Sequence, residues 1–181
     1  MKQGRFIAVV GPSGVGKDSV MAGLAAADPA LHLVRRTITR TPELGGEDYD
    51  SVSVAKFNEM AKAGHFAIHW GAHELQYAIP AHVRMVLAEG RDCLANFSRS
   101  ALLAGDAGFA RFCVLNITAQ SKTLAARLVA RGRENEAQIE RRLAQATKPL
   151  PDGLNVKTVS NDGPLDATIA QALSLLQPVR V

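Results

Sequence analysis

The sequence predicts an α/β fold, in which a parallel sheet lies between two layers of helices. Short apolar runs of the kind that form buried parallel strands alternate with stretches of helical periodicity. The first of these runs is followed at once by a glycine-rich loop and then by an amphipathic stretch. Strands that alternate with helices give a parallel sheet covered on both faces, so we expect a three-layer sandwich.

The elements of this core follow one another along the chain. The first strand, Phe6–Val10, leads through the glycine loop to a helix from Ser19 to Ala27. Later strands are predicted at Asp92–Phe97, Phe112–Ile117 and Asn155–Val159. Later helices are predicted at Ser121–Arg131, Glu136–Thr147 and Leu165–Leu176.

Two stretches interrupt this alternation. Residues 35–90 are expected to form an insert, with elements predicted as a strand at Val52–Val54, a helix at Ala55–Ala63 and a strand at Phe66–Trp70. Residues 131–147 are charged and are expected to form a small lid. The core of this single domain then consists of residues 1–34, 91–130 and 148–181. An insert after the first helix and a charged flap before a late helix are the layout of P-loop kinases that act on small molecules. The insert would bind the acceptor, and the lid would close over ATP and exclude water.

Composition excludes several classes of function. The net charge of +4 suits anionic ligands but is too small to indicate a nucleic-acid partner. The chain has no apolar run of 18 residues, which argues against a membrane partner, and Gly11 comes too soon for a signal-peptide core. Cys93 and Cys113 stand alone within apolar runs, so we expect core thiols and a cytoplasmic protein. A monomer and a homodimer fit the sequence equally well.

Residues 11–18 read G-x-x-x-x-G-K followed by Asp, a phosphate-binding loop with an unusual last residue. Its glycines allow backbone N–H groups to point inward at phosphate oxygens, and Lys17 adds a positive charge. The dipole of the following helix favours the same anion. A plain glycine-rich turn is the alternative. The residues expected to bind ATP here are Gly11, Pro12, Ser13, Gly14, Val15, Gly16, Lys17, Asp18 and Ser19.

Asp18 stands where a hydroxyl usually ligates Mg²⁺. A carboxylate is a hard oxygen ligand, so we expect Asp18 to hold Mg²⁺ directly or through water. The alternative is that Asp18 is a first-turn helix residue favoured by the helix dipole.

Arginines form two groups. In residues 35–40, a strand would place Arg36 and Arg40 on one face, where their guanidinium forks match phosphate oxygens; a solvated basic edge is the alternative. The second group surrounds the lid and consists of Arg127, Arg131, Arg133, Arg141 and Arg142. We expect at least one of these to stabilise a transferring phosphoryl group. The alternative for each is a solvated helix face paired with Glu134, Glu136 and Glu140.

Two other segments carry weaker signals. His69, beside Trp70, is expected to line the acceptor pocket, although packing around Trp70 is the alternative. A zinc site built from histidines spaced by four is disfavoured, because the residues between them do not resemble a metal site. Asn161 closes the last strand and is expected near the adenine base, unless its turn only caps the final helix.

Nearly the whole chain resembles the guanylate kinase superfamily. The segments that carry the resemblance are Gly11–Asp18, Thr37–Arg40, Gly46–Asp48, Phe66–Pro80, Arg127–Leu143 and Val159–Gly163. Within it the chain is most similar to the ribose 1,5-bisphosphate phosphokinases, through Gly16–Ser19, Ile38–Arg40 and Arg131–Asn135. This resemblance implies ATP-dependent, Mg²⁺-assisted phosphorylation of a sugar phosphate, ribose 1,5-bisphosphate, to 5-phosphoribosyl 1-diphosphate in phosphonate breakdown.

Departures from guanylate kinases favour the sugar-phosphate relatives. Glu43 replaces a second phosphate-binding arginine, His69 replaces a guanine-reading glutamate, and Asn96–Arg99 replaces a segment with a base-reading aspartate. Losing polar partners of guanine costs selectivity for it. A guanylate kinase and a non-catalytic phosphopeptide-binding module remain the alternatives.

The expected roles can then be assigned. Lys17, Arg131 and Arg142 are the expected catalytic residues. The expected nucleotide contacts outside the loop are Arg127, Arg133 and Asn161. The expected acceptor contacts are Arg36, Thr39, Arg40, His69, Tyr77, Ser98 and Arg99, the last for an extra phosphate.

Overall fold

The computed structural model describes residues 2–42 and 46–177. Glu43, named above as a departure from guanylate kinases, lies outside the described residues. The strands are β1 (Phe6–Val10), β2 (His32–Leu33), β3 (Arg36–Ile38), β4 (Tyr49–Ser51), β5 (Phe66–Ala72), β6 (Leu75–Pro80), β7 (Cys93–Asn96), β8 (Phe112–Thr118) and β9 (Val156–Ser160). The helices are α1 (Lys17–Ala27), α2 (Val54–Lys62), α3 (Val83–Ala88), α4 (Leu102–Gly108), α5 (Ser121–Arg131), α6 (Glu136–Ala146) and α7 (Leu165–Leu176).

The core is a five-stranded sheet in the order β2-β7-β1-β8-β9, with every described pair of neighbours parallel. Its central strand β1 is buried at all five residues, as expected for a parallel strand covered on both faces. Side chains alternate between those faces, so Phe6 packs on one side of the sheet and Ile7 on the other. The predicted three-layer sandwich is therefore confirmed.

Helices cover both faces of this sheet. Buried residues of α3 and α4 pack on the face of Phe6, whose ring stacks on Phe109 with centroids 4.1 Å apart. Buried residues of α1, α5 and α7 pack on the face of Ile7. Cys93 and Cys113 are free and buried in the two opposite layers, which confirms that they are core thiols.

A second, four-stranded sheet in the order β4-β3-β6-β5 is formed within residues 36–80. Strands β5 and β6 form a hairpin whose turn residues, His73 and Glu74, have φ angles of 50° and 61°. The strand predicted at Val52–Val54 is wrong. Ser53 is instead the N-cap of α2 and accepts a hydrogen bond from the backbone N–H of Lys56, so Val54 is helical.

Strand β1 and helices α5 and α7 have the predicted bounds, and the other predicted elements are displaced by at most two residues at either end. The short elements β2, β4, β6, α3 and α4 had no predicted counterpart, and β3 lies in residues 35–40, which were considered as a strand. Among residues 2–42 and 46–177, no helix is long and apolar enough to cross a membrane.

Candidate active site

A cleft of about 1260 Å³ opens beyond the carboxyl ends of β1 and β7. It is lined by the glycine loop, by residues of the second sheet and by residues around α6. The cationic side chains that line it are Lys17, Arg36, Arg40, Arg99, Arg127, Arg131, Arg133, Arg142 and Lys148. The carboxylates among its described lining residues are Asp18, Glu47 and Glu134. This excess of cations suits ligands that carry several phosphate groups.

The glycine loop adopts a conformation that requires glycine. Gly14 and Gly16 have φ angles of 83° and 91°, and a Cβ on Gly16 would lie 2.8 Å from Asn161 Nδ2. Lys17 starts α1, and its Nζ donates to the carbonyl oxygen of Gly11 at 2.8 Å. Burial lowers the pKa of Lys17 to about 8, against the opposing effect of Asp18. An incoming phosphate would raise this pKa and so stabilise the charged form of the amine.

Arg127 and Asn161 brace the loop from behind. The carbonyl oxygen of Val15 accepts from Arg127 Nη1 at 3.2 Å and from Asn161 Nδ2 at 2.8 Å. Arg127 Nη2 also donates to the carbonyl oxygen of Asn161 at 2.7 Å, and Thr168 donates to Asn161 Oδ1. Asn161 is 5% exposed and its side chain supports the loop, whereas it had been expected near the adenine base. Arg127 lines the cleft as expected.

Asp18 faces the cleft in the first turn of α1. Its pKa is raised, first by burial and then by the nearby carboxylate of Glu47. A carboxylate in this position is stabilised in its charged form by a cation, so its chemistry fits Mg²⁺. No three His, Cys, Asp or Glu side chains within the described ranges are grouped to hold a metal. That agrees with Mg²⁺ sites in kinases, which use one or two carboxylates together with substrate phosphates.

Arg36 is almost fully buried and forms an ion pair with Glu47. Arg36 Nε and Nη2 donate to the two carboxylate oxygens of Glu47 at 2.6 and 2.5 Å, and the side chains are 5% and 14% exposed. The guanidinium also lies over the ring of Tyr77, 4.9 Å from its centroid. Two of the three guanidinium nitrogens therefore bind a carboxylate, where we had expected the fork to bind a phosphate.

Glu47 is also linked to Asp18. Asn96 Nδ2 donates to Glu47 Oε2 at 3.1 Å and lies 3.5 Å from Asp18 Oδ1. Asn96 is the last residue of β7, so the end of a core strand fixes the separation of the two carboxylates.

Arg40 and two tyrosines line the side of the cleft that the second sheet forms. Arg40 Nη2 lies 3.5 Å from the hydroxyl of Tyr77, and its guanidinium stands over Tyr49 at 5.5 Å. Both tyrosines and Arg40 are lining residues. The hydroxyl of Tyr49 donates to the carbonyl oxygen of Thr41 at 2.8 Å, so the Arg40 guanidinium and the hydroxyl of Tyr77 are the groups that suit a phosphate here.

Thr39 and His69 do not line the cleft. Thr39 Oγ1 accepts from the backbone N–H of Gln76 at 2.9 Å, which ties it to β6. His69 lies near the rings of Phe57 and Phe66, and a register shift of β5 between Phe66 and Ile68 allows Phe66 and His69 to share a face. Trp70 points to the other face, because successive side chains of a strand alternate. The structure therefore separates His69 from the Trp70 side of the strand, against our expectation.

Ser98 and Arg99 line the cleft but are engaged by protein groups. Ser98 Oγ accepts from Trp70 Nε1 at 2.8 Å. Arg99 Nη1 donates to the carbonyl oxygens of Gln145 and Lys148 at 3.1 and 2.9 Å. Arg99 therefore ties the segment after β7 to the end of α6, which had not been expected.

The arginines around α6 converge on one carboxylate. Helix α5 ends at Gly132 in the left-handed conformation, and α6 starts with a capping box between Asn135 and Gln138. Between them, Glu134 pairs with both Arg131 and Arg142, and Arg142 Nη1 donates to Ser13 Oγ of the loop at 2.6 Å. Arg133 also lines the cleft.

Of the three carboxylates among the described lining residues of the site, sequence reasoning selected Asp18 but not Glu47 or Glu134. Glu47 was noted only within Gly46–Asp48, a segment that carries the family resemblance, and Glu134 only as a neutralising partner of arginines. Lys148 and Tyr49 were also missed, and no local pattern distinguished them from surface residues.

Comparisons with known proteins agree with this geometry. The family model for guanylate kinase matches residues 3–177. A ribose 1,5-bisphosphate phosphokinase PhnN of Ruegeria sp. (strain TM1040) is 50% identical, over 98% of this chain and 94% of that protein. The PhnN of Agrobacterium fabrum (strain C58 / ATCC 33970) is 42% identical, over 95% of this chain and 96% of that one. A solved guanylate kinase from Anaplasma phagocytophilum has a TM-score of 0.69 at 12% identity, over 96% of this chain and 85% of its own, which shows the fold alone.

Proposed function

The chain belongs to the guanylate kinase family, and we propose that it transfers the γ-phosphoryl group of ATP to ribose 1,5-bisphosphate. The products are ADP and 5-phosphoribosyl 1-diphosphate. The substrate is suggested by the two PhnN relatives, which match this chain over nearly its whole length.

One observation carries the proposal. A phosphate-binding loop and two separate sets of arginines line a single cleft, so two phosphorylated ligands can meet there. Phosphoryl transfer between anions depends on positioning and on neutralisation of charge, and this cleft supplies both without a covalent intermediate.

The donor side consists of the loop and the lid. In our proposal, the Lys17 amine and backbone N–H groups of the loop, such as those of Gly14 and Gly16, hold the ATP phosphates. Pro12 has no N–H, and buried Val15, which had been expected to contact ATP, donates its N–H to the carbonyl oxygen of Pro12 at 3.2 Å. Mg²⁺ would be held by Asp18 and would neutralise charge on those phosphates. Arg131, Arg133 and Arg142 would face the phosphoryl group as it moves, while Arg127 and Asn161 keep the loop in shape.

The acceptor side consists of Arg40 and Tyr77, with the ring of Tyr49 against the Arg40 guanidinium and Arg36 behind them. We assign these groups to a phosphate of ribose 1,5-bisphosphate. An oxygen of its 1-phosphate attacks the γ-phosphorus as the bond to ADP breaks. That oxygen is already ionised at neutral pH, so no general base is required.

At three positions where the sequence departs from guanylate kinases, the side chains face away from the cleft or are engaged by other protein groups. His69 faces away, Ser98 is held by Trp70, and Asn96 is held between two carboxylates. A site that lacks polar partners for a base has lost the main source of selectivity for it. This supports a sugar phosphate over GMP as the acceptor.

An acceptor comparison tests the proposal. Purified protein with Mg²⁺ and ATP is supplied with ribose 1,5-bisphosphate or with GMP, and ADP release and the phosphorylated product are measured. We expect turnover with ribose 1,5-bisphosphate and at most about a hundredth of that rate with GMP. Turnover with GMP alone would overturn the proposal in favour of a guanylate kinase. Turnover with neither would favour a binding module.

A further inference from the structure

We propose that Glu134 is a positioning residue that holds Arg131 and Arg142 together at the donor side of the cleft. This inference rests on the proposed kinase function, because it concerns the arginines that face the transferring group. Glu134 touches neither substrate in the proposal and acts through the two arginines.

The contacts of Glu134 are unusual for a lid residue. Its side chain is 5% exposed, whereas Arg131 and Arg142 are 37% and 40% exposed. A single oxygen, Oε1, accepts from Arg131 Nη2 and also lies 3.2 Å from Arg142 Nη2. One buried oxygen therefore brings two partly exposed guanidiniums side by side.

The same contacts connect the lid to the phosphate loop. Arg142 uses Nη2 toward Glu134 and Nη1 toward Ser13 Oγ, at 2.6 Å. Ser13 belongs to the loop, Arg142 to α6, and Arg131 to the end of α5. Glu134 is thus the centre of a chain of contacts that fixes both arginines relative to the loop.

The second carboxylate oxygen indicates that this placement is constrained. Glu134 Oε2 is buried and has no hydrogen-bond partner among the described residues. A carboxylate oxygen without a partner in a buried position is costly, and an unconstrained glutamate would rotate it into water. The cost is retained here because the two arginines hold the carboxylate inward.

Without Glu134, the two guanidiniums repel each other and spread over several rotamers. Stabilisation of a moving phosphoryl group requires cations that are already in place, since reorienting them raises the barrier. We therefore expect loss of Glu134 to lower kcat more than it weakens substrate binding.

The test compares Glu134→Gln with Glu140→Gln. Each variant removes one negative charge, at Glu134 just before α6 or at Glu140 within it. Glu140 is exposed and does not line the cleft. For Glu134→Gln we expect kcat to fall roughly 10- to 100-fold while KM for ribose 1,5-bisphosphate changes less than about threefold. Glu140→Gln should behave like the wild type, and both should melt within about 2 °C of it.

A double-mutant cycle shows whether Glu134 acts through the arginines. Adding Glu134→Gln to Arg131→Ala/Arg142→Ala should cause no further fall in kcat. An equal fold loss in both backgrounds would overturn the inference, and so would equal kcat for Glu134→Gln and Glu140→Gln. If Glu134→Gln does not fold, Glu134→Asp keeps the charge on a shorter side chain. If kcat of Glu134→Asp equals that of the wild type, the negative charge at this position is sufficient to hold the two arginines, which supports the inference. If Glu134→Asp lowers kcat by the same factor in the Arg131→Ala/Arg142→Ala background, Glu134 does not act through the arginines and the inference is wrong.

The wild-type control separates this inference from the proposed function. Failure of the wild type to use ribose 1,5-bisphosphate overturns the function and the inference with it. Normal wild-type turnover with an unaffected Glu134→Gln overturns the inference alone.

Discussion

Replacing Glu47 by Ala should destabilise this protein severely, because it leaves the buried guanidinium of Arg36 without its partner. Arg36 is 5% exposed and gives two hydrogen bonds to Glu47, which also accepts one from Asn96. Breaking such a buried pair by removing one member costs about 3–5 kcal/mol. For a chain of this length that corresponds to a fall in melting temperature of roughly 10 °C.

The next residue provides a matched control. Asp48 pairs with Arg35, but the two side chains are 80% and 50% exposed, so Asp48→Ala should cost less than about 1 kcal/mol. Both variants are unfolded by heat and by urea, with circular dichroism as the readout. Adding Arg36→Leu to Glu47→Ala should recover part of the stability, since the unpaired charge is then removed. Melting temperatures of the two single variants within about 2 °C of each other would refute the reasoning.

Three further predictions concern the loop and the lid. Above pH 8 the dissociation constant of ATP should rise by up to about tenfold per pH unit, since burial lowers the pKa of Lys17 to about 8 and phosphates bind its protonated form; calorimetry should show this dependence lost in Lys17→Met. Gly16→Ala should weaken ATP binding at least about tenfold in the same calorimetric assay, because φ is 91° and the new Cβ would meet Asn161; Gly108→Ala, which meets no atom within 4 Å, should bind normally. Arg99→Ala removes two hydrogen bonds at the end of α6, so residues 131–147 should be cleaved faster by a protease, and kcat/KM should fall about tenfold. Peptide mapping locates the cleavage, and steady-state rates give kcat/KM.

The core was predictable because each of its elements carries its own local signal. Strand β1 is a run of five apolar residues that ends in a loop with glycines at the positions that need positive φ. The small sheet has no such signal. Strand β3 consists of Arg36, Thr37 and Ile38, and it becomes a strand through pairing with β4 and β6, which are distant in sequence. Ser53 was misassigned for a related reason: the alternation Val-Ser-Val outweighed the capping role of the serine.

The sequence predicted many of the residues that line the cleft, but it did not predict which groups those residues bind. Most of the expected arginines do line the cleft, since clusters of guanidiniums near a phosphate loop have few other uses. Spacing along the chain does not say which group a guanidinium binds. Arg36 reaches Glu47 across 11 residues and Arg99 reaches the end of α6 across 46, and only the fold brings these groups together. His69 and Thr39 were misplaced because the face of a strand depends on its register.

The carboxylates in this cleft explain why its arginines were ambiguous in the sequence. Pairing with an acid was treated as the alternative to a role in the site, but Arg131 and Arg142 both pair with Glu134 and line the cleft. Without nearby carboxylates, these guanidinium groups would repel one another, and their side chains would adopt rotamers that point away from the cleft. A carboxylate that uses only some of the N–H groups of an arginine keeps the cation in place and leaves other donors for a phosphate. The cleft is then oriented before its ligands arrive, so less of the binding free energy is spent on ordering side chains. An ion pair at such a site therefore holds a cation in position for a phosphate. When the pair faces a phosphate-binding loop, it supports a role of the arginine in phosphate binding.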